Sequence, residues 1–267
     1  MCILHEAWMY IANMNQPIRL QYLDFTRGLA VFFMVMQHAI LVHEQYAGEG
    51  DGILGPLFLV LGTAPAAPVF MFIMGIFLAR ALEGGRRAIA WRGLKLLFLG
   101  YVLNLLRFTI PLSLAVAAGE VLPQENAPWT LFQEVDILQL AGLSFIITSI
   151  LPRANSRAIL PFIILITMLV SPLLWQHFGD NPWTAPLWGT QSHVSFPFFP
   201  WVIYPLLGIY MSPIMMKLPT RPEFGKQLIV MGCLMLVLCA VSYAWFPVGD
   251  YHRSGAAINT GIMGFVV

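Results

Sequence analysis

Apolar residues in this chain follow one another in blocks of about twenty, and short segments between the blocks collect the polar residues. A block of that length suits one helical crossing of a bilayer, where lipid offers backbone groups no water. The blocks fall at 23–43, 66–82, 95–117, 136–152, 158–176, 197–216 and 227–246, and an eighth begins near Ile258. The pattern predicts an all-α, polytopic integral membrane helix bundle with seven spans and a truncated eighth.

Three segments are less regular than the blocks. Residues 53–62 precede Pro65 and Pro68 and are either a half-helix or a surface segment. Residues 1–21 are interpreted as a cytoplasmic extension, and residues 22–267 as one membrane domain. The last apolar run holds about ten residues, too few for a crossing. We therefore expect the domain to be incomplete at its C-terminus, the alternative being a final surface segment.

Lysine and arginine alternate between the connecting segments. One set of segments carries nearly all of them, at Arg19, Arg80, Arg86, Arg87, Arg92, Lys95, Arg153, Arg157, Lys217, Arg221 and Lys226. The opposite set carries only Arg253. Because basic loops stay in the cytoplasm, the N-terminus is predicted to be cytoplasmic.

Composition supports a membrane protein and excludes several other classes. Apolar residues make up 58% of the chain, charged residues 10%, and the mean hydropathy is +0.75, far from a soluble domain. A net charge of +1 gives no field to attract a nucleic acid. The three cysteines form no C-x-x-C pattern, and the histidines lack H-x-x-x-H spacing, so we expect no metal site.

The first predicted span carries three ionisable residues. Asp24, Arg27 and His38 are spaced by 3 and 11 residues, which places them on one helical stripe with His38 about 16 Å beyond Arg27. Ionisable groups at membrane depth usually serve a function. In the alternative interpretation, Asp24 and Arg27 only orient the helix, and His38 bonds a neighbouring carbonyl.

Two further groups of polar residues belong to the third span and to the segment before it. Arg107 lies about 18 Å beyond Lys95, with Asn104 one turn earlier, and needs either an anion or a structural partner such as Asp136. The segment before the span packs five cations beside Trp91, at Arg80, Arg86, Arg87, Arg92 and Lys95. Topology alone explains several of them, but arginine also suits phosphate groups such as those of a coenzyme A thioester.

Four motifs in a fixed order resemble one family. They are RLQYLDFTRGLAVFFMVMQHA, PVFMFIMGIFLARAL, VDILQLAGLSFI and FPFFPWVIYPLLGIYM, between about Arg19 and Met211. Together they resemble the integral-membrane acyltransferases of the heparan-alpha-glucosaminide N-acetyltransferase catalytic-domain group. The resemblance implies transfer of an acyl group, typically acetyl, from cytoplasmic acyl-coenzyme A to a sugar hydroxyl or amine on the other side. It also implies an inner-membrane enzyme of a bacterium.

The resemblance implies a histidine that acts as a base or as a transient acyl carrier. His38 is the preferred candidate, with His43 as the alternative, and Asp24 and Arg27 accompany it. From the residues themselves we expect either Arg107 or Asn104 to polarise the thioester carbonyl, and the five-cation segment to bind the coenzyme, which is a cosubstrate and not a permanently bound cofactor. His43, His193 and Trp201 are predicted to contact the glycan or lipid-linked sugar. Membrane lipid is the remaining partner.

Two other functional classes compete with the enzyme. In an ion-coupled secondary transporter or flippase, Asp24, Arg27, His38 and Arg107 form a relay through the bundle and no coenzyme is needed. The chain shows neither an inverted repeat nor paired interrupted helices, which such transporters favour. A scaffold or sensor without turnover predicts that replacing Arg87 or His38 leaves function intact.

Overall fold

The computed structural model describes residues 20–47, 61–62, 66–123, 127–150, 156–178, 181, 183–189 and 194–216. Long helices in this part are α1 (Gln21–Ala47), α2 (Ala67–Gly84), α3 (Arg86–Asn104), α6 (Ile137–Ile150), α7 (Ser156–Phe178) and α10 (Ile203–Met215). Short helices are α4 (Ile110–Ala117), α5 (Pro128–Phe132), α8 (Ala185–Trp188) and α9 (Phe198–Trp201). A π-helical turn, Leu105–Thr109, joins α3 to α4.

The predicted all-α membrane bundle is confirmed. The predicted blocks up to 197–216 overlap helices of the described part. The third differs from its prediction of 95–117, because its helix begins at Arg86 and the predicted connecting segment from Arg86 to Lys95 is helical. Four helical segments are long and apolar enough to cross a membrane: Gln21–His43, Ala67–Gly84, Arg86–Ala117 and Phe198–Met215. The block at 227–246, the eighth block, residues 1–19 and most of 53–62 lie outside the described residues. The number of spans, the orientation and the domain boundaries therefore stay predictions.

Helices α2 and α10 cross at two glycines. A Cβ at Gly208 would overlap the Phe72 carbonyl oxygen, and one at Gly75 would overlap the Pro205 carbonyl oxygen. Small residues of this kind let helix backbones approach closely inside a membrane, where packing rather than hydrophobicity drives association. The hydroxyl of Ser212 on α10 also donates to the Ile76 carbonyl of α2, at 3.2 Å. The pair forms the centre of the bundle.

Helices α3 and α6 form a second close pair. A Cβ at Gly93 would lie 2.7 Å from the Gly142 carbonyl oxygen, and one at Gly100 would lie 2.9 Å from the Gln139 side chain. The contacts join the start of α3 to the middle of α6, and the end of α3 to the start of α6. The two helices are therefore antiparallel.

Helix α1 packs along α2. The Tyr22 hydroxyl at its start donates to the Met215 carbonyl at the end of α10, at 2.6 Å. The start of α1, the ends of α2 and α10 and the start of α3 thus lie together, and we call this the basic end because it carries Arg27 and Arg92. The far end comprises Asn104, α5, and Glu134 with the start of α6.

Candidate functional site

A cavity of about 220 Å³ lies at the basic end. Helix α2 supplies most of its wall, and α1, α3 and α6 contribute one residue each: Arg27, Phe70, Met74, Phe77, Leu78, Ala81, Arg92 and Phe145. The lining is apolar except for Arg27 and Arg92. The cavity therefore combines a mostly apolar lining with two cations from different helices.

Arg27 is held on α1 by the predicted pairing with Asp24. Its Nη2 lies 3.5 Å from Asp24 Oδ1, and the two residues are one helical turn apart. The Arg27 side chain remains 50% exposed. A half-exposed pair of this kind contributes little to stability, so Arg27 can exchange Asp24 for another anion at small cost.

The other predicted coenzyme-binding residues lie near the cavity in sequence but do not line it. Arg80, Arg87 and Lys95 are exposed, and Arg86 is half-buried. Their role in binding phosphate stays a prediction. The structure distinguishes Arg92 from the rest of the segment, because Arg92 lines the same cavity as Arg27.

His38 lies in the second half of α1 and does not line this cavity. Its Nδ1 contacts the Met34 carbonyl oxygen at 2.7 Å. A carbonyl can only accept, so the proton is on Nδ1 and the neutral ring offers the lone pair of Nε2. The ring is exposed and does not line the cavity. In the alternative interpretation given above, His38 only bonds a neighbouring carbonyl, and the Met34 contact is of that kind. The contact also leaves Nε2 available as a base.

The remaining predicted contacts with the acceptor differ in position. Trp201 is only 1% exposed and packs in the core, with its ring 4.7 Å from that of Phe196. In this position Trp201 packs the bundle and shows no ring face to solvent. His43 is exposed near the end of α1, and His193 lies outside the described residues. Their contact with a substrate stays a prediction.

Asn104 organises the far end. It is 6% exposed, and its Nδ2 donates to the carbonyls of Phe132, at 3.0 Å, and Glu134, at 2.8 Å. Gln139 of α6 donates to the same Glu134 carbonyl at 3.2 Å. Two amide side chains from α3 and α6 thus fix the backbone between α5 and α6. In the structure Asn104 holds the backbone between α5 and α6 in place. Its predicted part in catalysis stays a prediction.

Arg107 belongs to the π-helical turn, and such turns are frequent at functional sites. Its guanidinium lies 4.4 Å from the centre of the Phe108 ring. Within the described residues, no ion pair within 4.0 Å joins Arg107 to Asp136, the structural partner considered above. Asp136 instead accepts a hydrogen bond from the Ile137 backbone at 2.6 Å, at the start of α6.

The charge of Arg107 acts on Glu134. Glu134 lies outside the spanning helices, and burial raises the pKa of its carboxyl above the ordinary value. The negative charge of Asp136 raises this pKa further, whereas Arg107 lowers it. Glu134 Oε2 is buried and finds no hydrogen-bond partner in the described part of the chain.

Glu134 is absent from the site predicted above. Its position beside a predicted helix start resembles that of an ordinary loop acid, and its neighbours Asn104 and Arg107 lie some thirty residues away in sequence. The one available signal is the polar residue Gln139 inside an apolar block, which reaches back to Glu134.

Comparison with known proteins identifies one family. The family model described as "Heparan-alpha-glucosaminide N-acetyltransferase, catalytic" matches residues 19–243. No curated protein and no solved structure matches the chain. The matched range covers most of the 267 residues and confirms the resemblance given by the four motifs. It indicates an acetyltransferase-type enzyme in a membrane, and the chain belongs to the heparan-alpha-glucosaminide N-acetyltransferase catalytic family.

Proposed function

We propose that the protein transfers an acyl group, in the simplest case acetyl, from acyl-coenzyme A at the basic end to a hydroxyl or amine of a glycan at the far end. The observation that carries this proposal is the cavity shared by Arg27 and Arg92. The basic end is taken to face the cytoplasm, as the distribution of Lys and Arg predicts.

The size of the cavity fits one arm of the coenzyme. Pockets that enclose a drug-sized ligand measure roughly 300–1,000 Å³, so a cavity of about 220 Å³ is too small for the whole molecule. A narrow thioester arm would enter it, and the phosphates would remain outside. Phe70, Met74 and Phe145 supply the apolar contacts for the arm.

The charges at the cavity fit the phosphates. Arginine forks form short, charge-assisted bonds with phosphate oxygens. Arg27 and Arg92 would hold the phosphates, and Arg80, Arg86, Arg87 and Lys95 would add attraction from the surrounding surface. Because exposed charges are screened by salt, binding is expected to weaken as ionic strength rises.

His38 would supply the proton transfer. The acceptor O–H or N–H attacks the thioester carbonyl carbon, and its proton passes to His38 Nε2. The carbon–sulfur bond then breaks, and the leaving thiolate takes the proton from the imidazolium. A positioned base of this kind contributes about 10²- to 10⁴-fold. The reacting thioester has to travel along α1, since His38 lies about 16 Å from Arg27 by helical rise.

Binding of acetyl-coenzyme A to the protein in nanodiscs tests the donor site. Arg92→Gln is expected to weaken binding about tenfold or more, because a hydrogen bond to a charged group contributes roughly 1.5–3 kcal/mol. Arg87→Gln should weaken it less, since Arg87 does not line the cavity. Glu83→Gln, an exposed change at the same end, is the control. Equal affinity in wild type and Arg92→Gln would contradict the proposed site.

A further inference from the structure

The far end contains a carboxylate oxygen, Glu134 Oε2, that is buried and has no hydrogen-bond partner among the described residues. The nearest amide donors are already used: both hydrogens of Asn104 Nδ2 go to backbone carbonyls, and Gln139 Nε2 goes to the Glu134 carbonyl. Gln139 Oε1 in turn accepts from the Asp136 backbone at 3.2 Å. Asn104 and Gln139 therefore fix the Glu134 backbone and leave its side chain without a donor.

The nearby cation, Arg107, does not supply the missing partner of the Glu134 carboxylate. Arg107 influences Glu134 through its charge, yet no ion pair within 4.0 Å joins the two among the described residues. A buried acceptor left unpaired costs about 1–3 kcal/mol, and more when it is charged. An unsatisfied group of this kind in a folded protein calls for an explanation such as a bound ligand.

A second buried polar atom without a partner lies on α8. Trp188 Nε1 is a buried donor with no acceptor in the described part of the chain. Ala185, one turn before Trp188 in α8, packs in a small core with Val135 and Val194, and Val135 is the residue after Glu134. The Trp188 ring lies 6.2 Å from those of both Phe178 and Phe199. Helix α8, with its unpaired donor, therefore packs against the segment that follows Glu134.

We propose that Glu134 anchors the acceptor sugar at the far end, with Trp188 as the complementary hydrogen-bond donor. A sugar hydroxyl can donate to the Glu134 carboxylate, and a second hydroxyl can accept from Trp188 Nε1. This inference rests on the proposed function and specifies where its acceptor binds.

Other ionisable groups around Glu134 define the pH response. They are Arg107 on the π-helical turn, Asp136 on the same connecting segment, and Tyr101 on α3, whose ring packs against Phe132. An ionised Glu134 carboxylate accepts a stronger hydrogen bond than the protonated carboxyl does, and its pKa is raised. Sugar binding should therefore strengthen as pH rises through this raised pKa and weaken as pH falls through it.

Equilibrium binding of labelled glucose and glucosamine to the full chain in nanodiscs tests the inference. Glu134→Gln is expected to weaken binding of at least one sugar about tenfold and to abolish the pH dependence of glucose binding, since glucose itself does not titrate. Trp188→Phe keeps the ring, loses the N–H, and should weaken binding severalfold. Glu120→Gln is the control, because Glu120 is exposed at the end of α4.

Two results would overturn the inference: no saturable binding of either sugar to wild type, or equal binding by wild type and Glu134→Gln across the pH range. Binding of acetyl-coenzyme A, measured in the same variants, should be unchanged. Failure of acyl transfer in wild type would refute the proposed function alone, because sugar binding needs no donor. If part of the Glu134→Gln protein does not fold, the number of binding sites for sugar and for acetyl-coenzyme A will fall together. The affinities of the folded fraction can then still be compared with those of wild type.

Discussion

The two ends of the bundle handle polar groups in opposite ways. At the basic end, the charges are exposed or half-exposed and surround a cavity whose interior is apolar. At the far end, the amides of Asn104 and Gln139 are buried, and both donate hydrogen bonds that hold the backbone at Glu134 in place. One end presents two arginines at a cavity, and the other holds the backbone around one carboxylate in place.

The difference follows from the partners available at each end. Exposed arginines stay hydrated and can change partner at little cost. The buried Glu134 oxygen cannot form hydrogen bonds with water, so the surrounding residues determine the protonation of the carboxyl and what it binds. The comparison predicts that changes at the basic end act on the donor and on ionic strength, whereas changes at the far end act on the acceptor and on pH.

The largest expected effect comes from breaking the scaffold of the basic end. Gly208→Ala places a Cβ against the Phe72 backbone carbonyl, and α2 must move away from α10. We expect a loss of about 3 kcal/mol of stability, and a larger loss of acetyl-coenzyme A binding than of sugar binding, since α2 forms most of the cavity wall. Thermal unfolding and both binding measurements check this.

A matched glycine provides the control. Nothing lies within 4 Å of a Cβ built at Gly28 in α1, so Gly28→Ala should keep or slightly raise the melting temperature. Equal melting temperatures for the two variants would show that the α2–α10 contact is looser than described.

A smaller effect is expected from removing hydrogen bonds at the far end. Asn104→Ala removes two hydrogen bonds, leaves the Phe132 carbonyl without this donor and leaves the Glu134 carbonyl with Gln139 alone, which should cost about 2 kcal/mol of stability. Sugar affinity should fall with it, and acetyl-coenzyme A affinity should not. Thr109→Val removes a single contact of 3.3 Å to the Pro128 carbonyl and should cost less than half as much. Loss of donor binding in Asn104→Ala would remove the distinction between the two ends.

The sequence predicts the helices well because a bilayer leaves the backbone few choices. Block length and apolar composition define α1, α2, α6 and α7 within a few residues. Helix α3 begins at Arg86 rather than at 95, because its first turns carry charged residues that the apolar pattern excludes. The Asp24–Arg27 pair also follows from spacing alone, since residues three apart share a helix face.

The sites depend on contacts that sequence spacing does not contain. Arg27 and Arg92 line one cavity because α1, α2 and α3 pack together, and the spacing of charges along the sequence does not contain that packing. Glu134 becomes unusual only because Asn104 and Gln139 give their hydrogens to backbone carbonyls. Trp201 also shows what sequence position does not reveal: it lies near a predicted outer loop in the sequence, yet it is buried in the core of the structure.

Transfer across the membrane tests the central claim most directly. Proteoliposomes would hold glucosamine inside and receive acetyl-coenzyme A, labelled on the acetyl group, outside. The account predicts labelled sugar inside vesicles with wild type, and donor binding without transfer with His38→Ala. Transfer at the wild-type rate by His38→Ala would remove His38 from the mechanism, and the absence of labelled sugar with wild-type protein that binds both substrates would contradict the proposed reaction.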